Sequence, residues 1–233
     1  MKNQSRHQEL FKDLTAITDL KQQVYQKTLT SFKTLQEIVN DFVSSYQSYV
    51  KSAKLDSTIP FEARAIGEFE VELKFGGDIL IFLMHSNIFE FPRDHEVMKT
   101  SYVKEDKTRS YHGIINIYNF LADSFKYNRV NDVGYMIGRV FINKDGSYFI
   151  EGKRELAYLF NYFGSKKFDK TAIEELVETA IRYTINFDLL TPPYEQLQEV
   201  SVAGMKNALD SISFKTGKRL GFRFQADDQN IQQ

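Results

Sequence analysis

Two carboxylates and a lysine near the middle of the chain have the residue types of a metal-dependent nuclease. Asp132 is followed, after a hydrophobic stretch, by Glu151 and Lys153, which one glycine separates. In such enzymes carboxylates hold a divalent ion, and a lysine helps to position or activate the attacking water. A similar Glu-x-Lys pair, Glu72 and Lys74, shows how easily the pattern arises in charged strands. A divalent-metal-dependent nuclease is therefore an alternative function and not the preferred one.

Three of the four histidines lie between His85 and His112, and acidic residues flank one of them. His85, Asp94 and His95 are the residues that could hold a metal ion. No His-x-His or His-Glu-x-x-His spacing, however, places two ligands on one strand or on one helix face. The alternative is a hydrogen-bonding His85 with exposed His95 and His112, and the sequence favours this alternative.

A basic and aromatic segment late in the chain has the composition of a site for single-stranded nucleic acid. Phenylalanines alternate there with four cations, Lys215, Lys218, Arg219 and Arg223. Cations can bind phosphates while rings stack on bases. In an alternating strand, however, the rings would face the core and the cations would face water. We therefore expect nucleic acid not to be a partner.

Aromatic residues are abundant, with 20 Phe and 13 Tyr, and many of them lie between Phe61 and Phe168. They could line a pocket for a small-molecule ligand, although an aromatic core is the commoner arrangement. The sequence contains no Walker phosphate loop, Gly-x-Gly-x-x-Gly, Gly-x-Ser-x-Gly or EF-hand loop. No motif therefore implies a cofactor, and a non-enzymatic role is favoured.

The composition excludes several other classes of function. Lys and Arg number 30 against 31 Asp and Glu, so the chain has no general attraction to nucleic acid or to membranes. It has no cysteine, which excludes disulfides, iron–sulfur clusters and cysteine nucleophiles. We find neither a signal-peptide pattern nor an apolar run long enough to span a membrane. These features predict a cytoplasmic protein without a membrane partner.

One long helix is predicted from about Arg6 to Lys54, because this stretch lacks Gly and Pro and its apolar residues recur at spacings of three and four. The stripe is polar in its middle, so it does not form a strict coiled-coil heptad. Extra apolar residues widen it, as in a helix that packs on a domain. The alternative is pairing with a partner or a second copy through residues 6–54. The stripe positions are Leu10, Leu14, Ile17, Lys21, Val24, Thr28, Ser31, Leu35, Ile38, Phe42, Ser45 and Tyr49.

Alternating apolar and polar residues predict several β-strands joined by hairpins. The clearest hairpin turns at Asn143 to Gly146, between two runs rich in β-branched and aromatic residues. Another turns at Gly76 and Gly77, which permit positive φ angles. The predicted strands cover residues 68–75, 79–84, 88–91, 113–121, 133–142, 147–150, 212–214 and 220–224.

Further helices are predicted after the central hairpin. Residues 156–163 have helical spacing, and Gly164 can take the left-handed conformation that ends a helix. Asp169 is a candidate N-cap for the next helix, whose apolar stripe covers residues 173–184. A short helix is predicted after Ser201.

Two segments give weaker signals. Residues 93–110 are polar without a sustained period, which predicts an irregular loop or a flap over a pocket. Residues 120–127 fit a short helix as well as the end of a strand.

Strand-rich stretches flanked by helices and joined by hairpins predict an α+β fold with a mainly antiparallel sheet and a long N-terminal helix. We predict a helix for packing or oligomerisation at 1–58, a globular domain at 59–226 and a polar tail at 227–233. The preferred function is a non-enzymatic module for small-molecule sensing or protein interaction, whose long helix pairs with a partner or with a second copy as a homodimer. Besides the nuclease, a structural subunit of a larger assembly is an alternative.

Overall fold

A computed structural model of the chain describes residues 2–55, 59–153 and 163–187, and in addition residues 156, 191, 194, 199 and 201–203. It contains a long N-terminal helix, a seven-stranded antiparallel sheet and further helices, which confirms the predicted α+β fold. Among the described residues, the α-helices with defined bounds are α1 (Lys2–Ser52), α2 (Ser101–Glu105), α3 (Ala122–Lys126) and α4 (Lys170–Ile185). The strands are β1 (Phe61–Ile66), β2 (Glu70–Phe75), β3 (Asp78–Met84), β4 (Phe89–Glu90), β5 (Tyr111–Leu121), β6 (Tyr135–Asn143) and β7 (Tyr148–Gly152).

The sheet is an antiparallel meander in the order β1-β2-β3-β5-β6-β7. The short β4 pairs with the start of β5, just beyond the end of β3. Two of the tight turns depend on Gly76 and Gly146, whose φ angles of 55° and 73° are disfavoured for residues with a side chain. Both glycines lie in the turns that the sequence predicts. Strand β1 was not predicted.

Helices α1 and α4 cover one face of the sheet, called here the helix face. Their apolar residues and the inward-facing residues of β2, β3, β5, β6 and β7 form one continuous core. Side chains in this core with 0% exposure include Phe32, Leu35, Leu73, Leu80, Phe82, Ile115, Ile117, Ile137, Ile142 and Leu176.

The middle of α1 approaches β5 closely at one glycine. A Cβ atom added to Gly113 would lie 2.2 Å from Thr28 Oγ1, so the helix can contact the strand only because residue 113 lacks a side chain. The hydroxyl of Thr28 is buried and donates to the carbonyl of Val24 at 2.9 Å. The polar Thr28, in the middle of the α1 stripe, is therefore buried against β5.

The central hairpin and the helix after it agree with the sequence prediction. Strands β6 and β7 pair antiparallel across the turn at residues 143–146. The side chain of Asp169 accepts from the amide of Ala172 at 3.0 Å and so caps α4, as predicted. The predicted stripe of α4, from Ile173 to Thr184, is buried.

The opposite face of the sheet carries a second apolar cluster beneath residues 91–110. Phe91, Val97, Val103 and Phe141 are its buried members. Residues 96–99 and 107–110 form short 3-10 helices on either side of α2. The prediction of an irregular loop at residues 93–110 is therefore wrong.

Side chains cap each of these short helices, which explains why the segment is regular despite its polar composition. His95, Thr100 and Asp106 each accept a hydrogen bond from a backbone amide two or three residues later. Lys144 Nζ also donates to Asp106 Oδ2 at 2.7 Å. This bond, together with one from Thr108, holds the pKa of Asp106 well below its usual range. The segment is thus fixed to the turn between β6 and β7.

Three predicted elements lie mainly or wholly outside the described residues. They are the helix at 156–163, the helix after Ser201 and the hairpin at 212–224. Gly164 is among the described residues. Its φ angle of 96° is positive, which agrees with the prediction that this glycine can take a left-handed conformation.

Candidate functional site

Residues 6–19 of α1 are not covered by any other part of the chain that the structure describes. The side chains from Arg6 to Asp19 are all exposed, and Leu20 is the first buried one. A helix rises about 1.5 Å per residue, so this uncovered part is roughly 20 Å long. Its apolar residues, called here the N-terminal stripe, are Leu10, Phe11, Leu14 and Ile17, which are 60%, 59%, 58% and 39% exposed.

The N-terminal stripe continues the face by which α1 packs on the sheet. The spacings of four and three that relate Leu10, Leu14 and Ile17 lead on to Val24 and Leu35, both 0% exposed. One face of a continuous helix is therefore buried by the sheet over its middle part, between Leu20 and Val39, and exposed over residues 6–19.

Charged residues around the N-terminal stripe carry both signs. Arg6 and Lys12 are the cations, and Glu9, Asp13 and Asp19 are the anions. Because the two signs nearly balance, a second copy of the same segment would meet little net repulsion.

The three residues of the nuclease hypothesis have different surroundings. Asp132 accepts from Ser124 Oγ at 2.6 Å and lies 3.6 Å from Arg129 Nη1, in the turn before β6. Glu151 lies on β7 and accepts from Arg139 Nε at 2.6 Å. Lys153 is exposed. Each carboxylate thus has a cation beside it, and the nuclease role of these residues stays a prediction.

The two histidines of the metal hypothesis accept hydrogen bonds from backbone amides. His85 Nδ1 accepts from the amide of Asn87 at 3.0 Å. His95 Nδ1 accepts from the amide of Val97 at 3.2 Å, and its Nε2 lies 3.7 Å from Glu151 Oε1. Asp94 is exposed. Within the described residues no three His, Asp or Glu side chains are grouped so that they could hold a metal ion.

His112 is buried, with 3% exposure, although the sequence interpretation placed it in solvent. Its ring stacks on Phe91 at 3.9 Å between centroids and meets Phe141 edge to face at 5.0 Å. Nδ1 donates to the carbonyl of Ser110 at 3.0 Å. The strand pattern could not show this burial, because the cover comes from Phe91, which is distant in sequence.

Acid is expected to destabilise the fold through His112. Burial, with smaller contributions from His95 and Arg139, lowers the pKa of His112 to about 4. The unfolded chain binds the proton at about pH 6.5, so the stabilising effect of a neutral His112 is complete above that pH and is lost as the pH falls toward 4. The loss should be about 3 kcal/mol, measured as the free energy of unfolding in urea at a series of pH values.

The variant His112→Phe separates this effect from that of the carboxylates, which also respond to acid. Phenylalanine keeps a stacking ring but cannot be protonated, so its stability should fall less between pH 6.5 and 4. Parallel pH curves for the two proteins would contradict the assignment to His112.

The cations of the nucleic-acid hypothesis, Lys215, Lys218, Arg219 and Arg223, lie outside the described residues. Their role stays a prediction.

The fold and the uncovered stripe together define an α+β protein with a projecting amphipathic helix. Among the residues that the structure describes, no helix is both long enough and apolar enough to cross a membrane. Comparison with known proteins gave no match to a family model, to a curated protein or to a solved structure. The function is therefore inferred from the geometry of the chain itself.

Proposed function

We propose that this chain is a protein-interaction module that associates with a second copy of itself through the N-terminal stripe of α1. The observation that carries the proposal is the exposure of Leu10, Phe11 and Leu14 on a helix face that the sheet buries farther along the chain. Small-molecule sensing, nuclease activity and a structural role in a larger assembly stay predictions.

Energetics support a partner for this surface. Burying a large apolar side chain stabilises by about 1.5–3 kcal/mol, and a single helix without tertiary contacts is marginal in water. Four such side chains in each copy would be covered together if two stripes met. The interface would bury on the order of 1,000 Å², at the lower end for specific complexes, so we expect a reversible dimer of roughly micromolar affinity.

The properties of the segment favour a second copy over an unrelated partner. The stripe is short and purely apolar at its centre, and the charges beside it carry both signs, so two identical segments are compatible. If the N-terminal stripe instead bound an amphipathic helix of another protein, the purified protein would be monomeric.

Introducing charge into the stripe should abolish self-association. In the double variant Leu10→Lys, Leu14→Lys two cations replace apolar contacts, and the dissociation constant should rise at least 100-fold. Sedimentation velocity over a range of protein concentrations measures the change. Because both side chains are largely exposed in the single chain, the melting temperature of dilute protein should change little.

The matched control is Gln8→Lys, Thr15→Lys, which adds the same charge to exposed positions of α1 away from the centre of the stripe. This variant should associate like the wild type. A wild-type protein that remains monomeric at every concentration would overturn the proposal, and so would equal weakening in both variants.

A further inference from the structure

We propose that the two copies of α1 pair antiparallel, with Leu10 of one copy opposite Leu14 of the other. This inference rests on the proposed self-association and adds the orientation of the partner. It follows from the position on α1 at which the sheet begins to bury the helix.

A parallel pair conflicts with the fold. In a parallel pair each residue lies beside its own counterpart, so the partner helix would continue along the same face past residue 20. That face is already occupied by the protein's own sheet, since Val24, Phe32 and Leu35 are 0% exposed. The two helices would have to diverge sharply just after Ile17.

α1 is not interrupted at the point where the two helices would have to diverge. It is one continuous helix from Lys2 to Ser52, and its sequence contains neither proline nor glycine. Sharp kinks in helices arise at those residues, at π-bulges or at inserted groups. The uncovered part therefore extends the axis of the covered part, and a parallel partner would meet the sheet.

An antiparallel pair fits the uncovered length. With Leu10 opposite Leu14 of the second copy, Arg6 lies opposite Thr18. Residues 6–18 of the two copies therefore lie side by side, and this overlap ends before Leu20, the first buried residue. The two Phe11 side chains then lie next to the two-fold axis and close one side of the apolar contact. The two sheets lie at opposite ends of the pair, where neither obstructs the other.

Cysteine cross-linking can test this orientation without interference, because the chain contains no cysteine. Leu10→Cys and Leu14→Cys are made as separate proteins, one with a tag that changes its mass, and they are mixed and mildly oxidised. An antiparallel pair brings residue 10 of one copy within disulfide range of residue 14 of the other, whereas identical positions are several residues apart along the axis. The mixed disulfide should form at least five-fold faster than either symmetric one.

The outcomes separate the orientation from the association itself. Symmetric disulfides in each variant alone, with a dimer in sedimentation, would overturn the antiparallel arrangement and leave self-association standing. A monomer in sedimentation for both the wild type and the variants would overturn the proposed function. A Gln8→Cys protein, with its cysteine away from the stripe, is the control and should not cross-link.

A spin label at Gln23 gives a second measurement that leaves the stripe intact. Gln23 is exposed and lies beyond the uncovered part. In the antiparallel register the two labels are roughly 35 Å apart or more, from the 1.5 Å rise per residue. In a parallel pair they would be within roughly 25 Å, because the axes of packed helices lie about 10 Å apart. A short distance would overturn the inference even if the cysteine variants failed to associate.

Discussion

Replacing Gly113 with alanine should lower the free energy of unfolding by about 3 kcal/mol, because the new methyl group has no room between β5 and α1. It would lie 2.2 Å from Thr28 Oγ1 and 2.8 Å from Thr28 Cβ and Cγ2. Thr28 is 0% exposed and belongs to a helix packed over its whole middle, so the clash requires a shift of α1 on the sheet. Urea denaturation followed by circular dichroism measures the loss.

Gly77→Ala is the matched control for this prediction. A Cβ atom at Gly77 would have no heavy atom within 4 Å, and the φ angle there is not in the left-handed region. Its stability should lie within about 0.5 kcal/mol of the wild type.

A double-mutant cycle identifies Thr28 as the group that clashes. Thr28→Ala removes Oγ1 and Cγ2, so in this background Gly113→Ala should cost at least 1 kcal/mol less than in the wild type. Strict additivity of the two changes would contradict the close approach of α1 and β5.

The N-terminal stripe and the buried middle of α1 show what the sequence pattern can predict. The periodicity of the apolar residues correctly identifies one long helix and its apolar face. The periodicity does not identify which part of that face is buried: Leu10 and Leu14 are exposed, whereas the polar Thr28 and Ser31 are buried. The burial of Thr28 depends on Gly113, which is 85 positions later by their residue numbers. No local rule connects the two.

The short elements that were missed have a similar cause. In β1, Ala63 and Ala65 alternate with charged neighbours, and alanine has little β-propensity. Helix α2 has only one turn, which is too short to be stable without tertiary contacts. The 3-10 helix at residues 107–110 is capped by Asp106, which forms an ion pair with Lys144, a residue distant in sequence. By contrast, the hairpin at residues 135–152 and the N-cap at Asp169 have short-range signals, and both were predictable.

The sequence shows an apolar stripe on α1 but not where on the stripe a partner would bind. Both of its ends are apolar, and pairing through all of residues 6–54 was the natural expectation. In the structure the sheet buries this face between Leu20 and Val39, whereas Leu10 and Leu14 before it and Tyr49 after it are exposed, so residues 6–19 are the longest exposed part of the stripe.

Replacing Asn143 with leucine should lower the free energy of unfolding by about 4 kcal/mol, because one buried side chain joins three parts of the fold. Asn143 is 0% exposed. Its Oδ1 accepts from the amides of Asp145 and Ser147 at 3.0 and 3.1 Å. Its Nδ2 donates to Tyr102 Oη at 3.0 Å and to the carbonyl of Arg109 at 3.4 Å. Leucine would leave these groups unpaired, at about 1–3 kcal/mol for each one that water cannot reach.

Asn40→Leu is the control for the chemical change itself. Asn40 is exposed on α1, and its amide donates to the carbonyl of Gln36. The same replacement there should change stability by less than about 0.5 kcal/mol.

Hydrogen exchange shows whether Asn143 stabilises only its own turn or also the segment packed against it. The bonds from Nδ2 reach Tyr102 and Arg109, so amides with hydrogen bonds at residues 97–110 should exchange faster in Asn143→Leu, relative to the global stability of each protein. The variant Tyr102→Phe removes one of these bonds and leaves both bonds to Asn143 Oδ1, so it should loosen the segment with a smaller loss of global stability.

If exchange in the segment follows global unfolding in both variants, then the segment and the β6–β7 turn unfold as one unit with the sheet. Faster exchange of the segment alone would make it a separate unit that opens while α1 and its uncovered stripe stay in place.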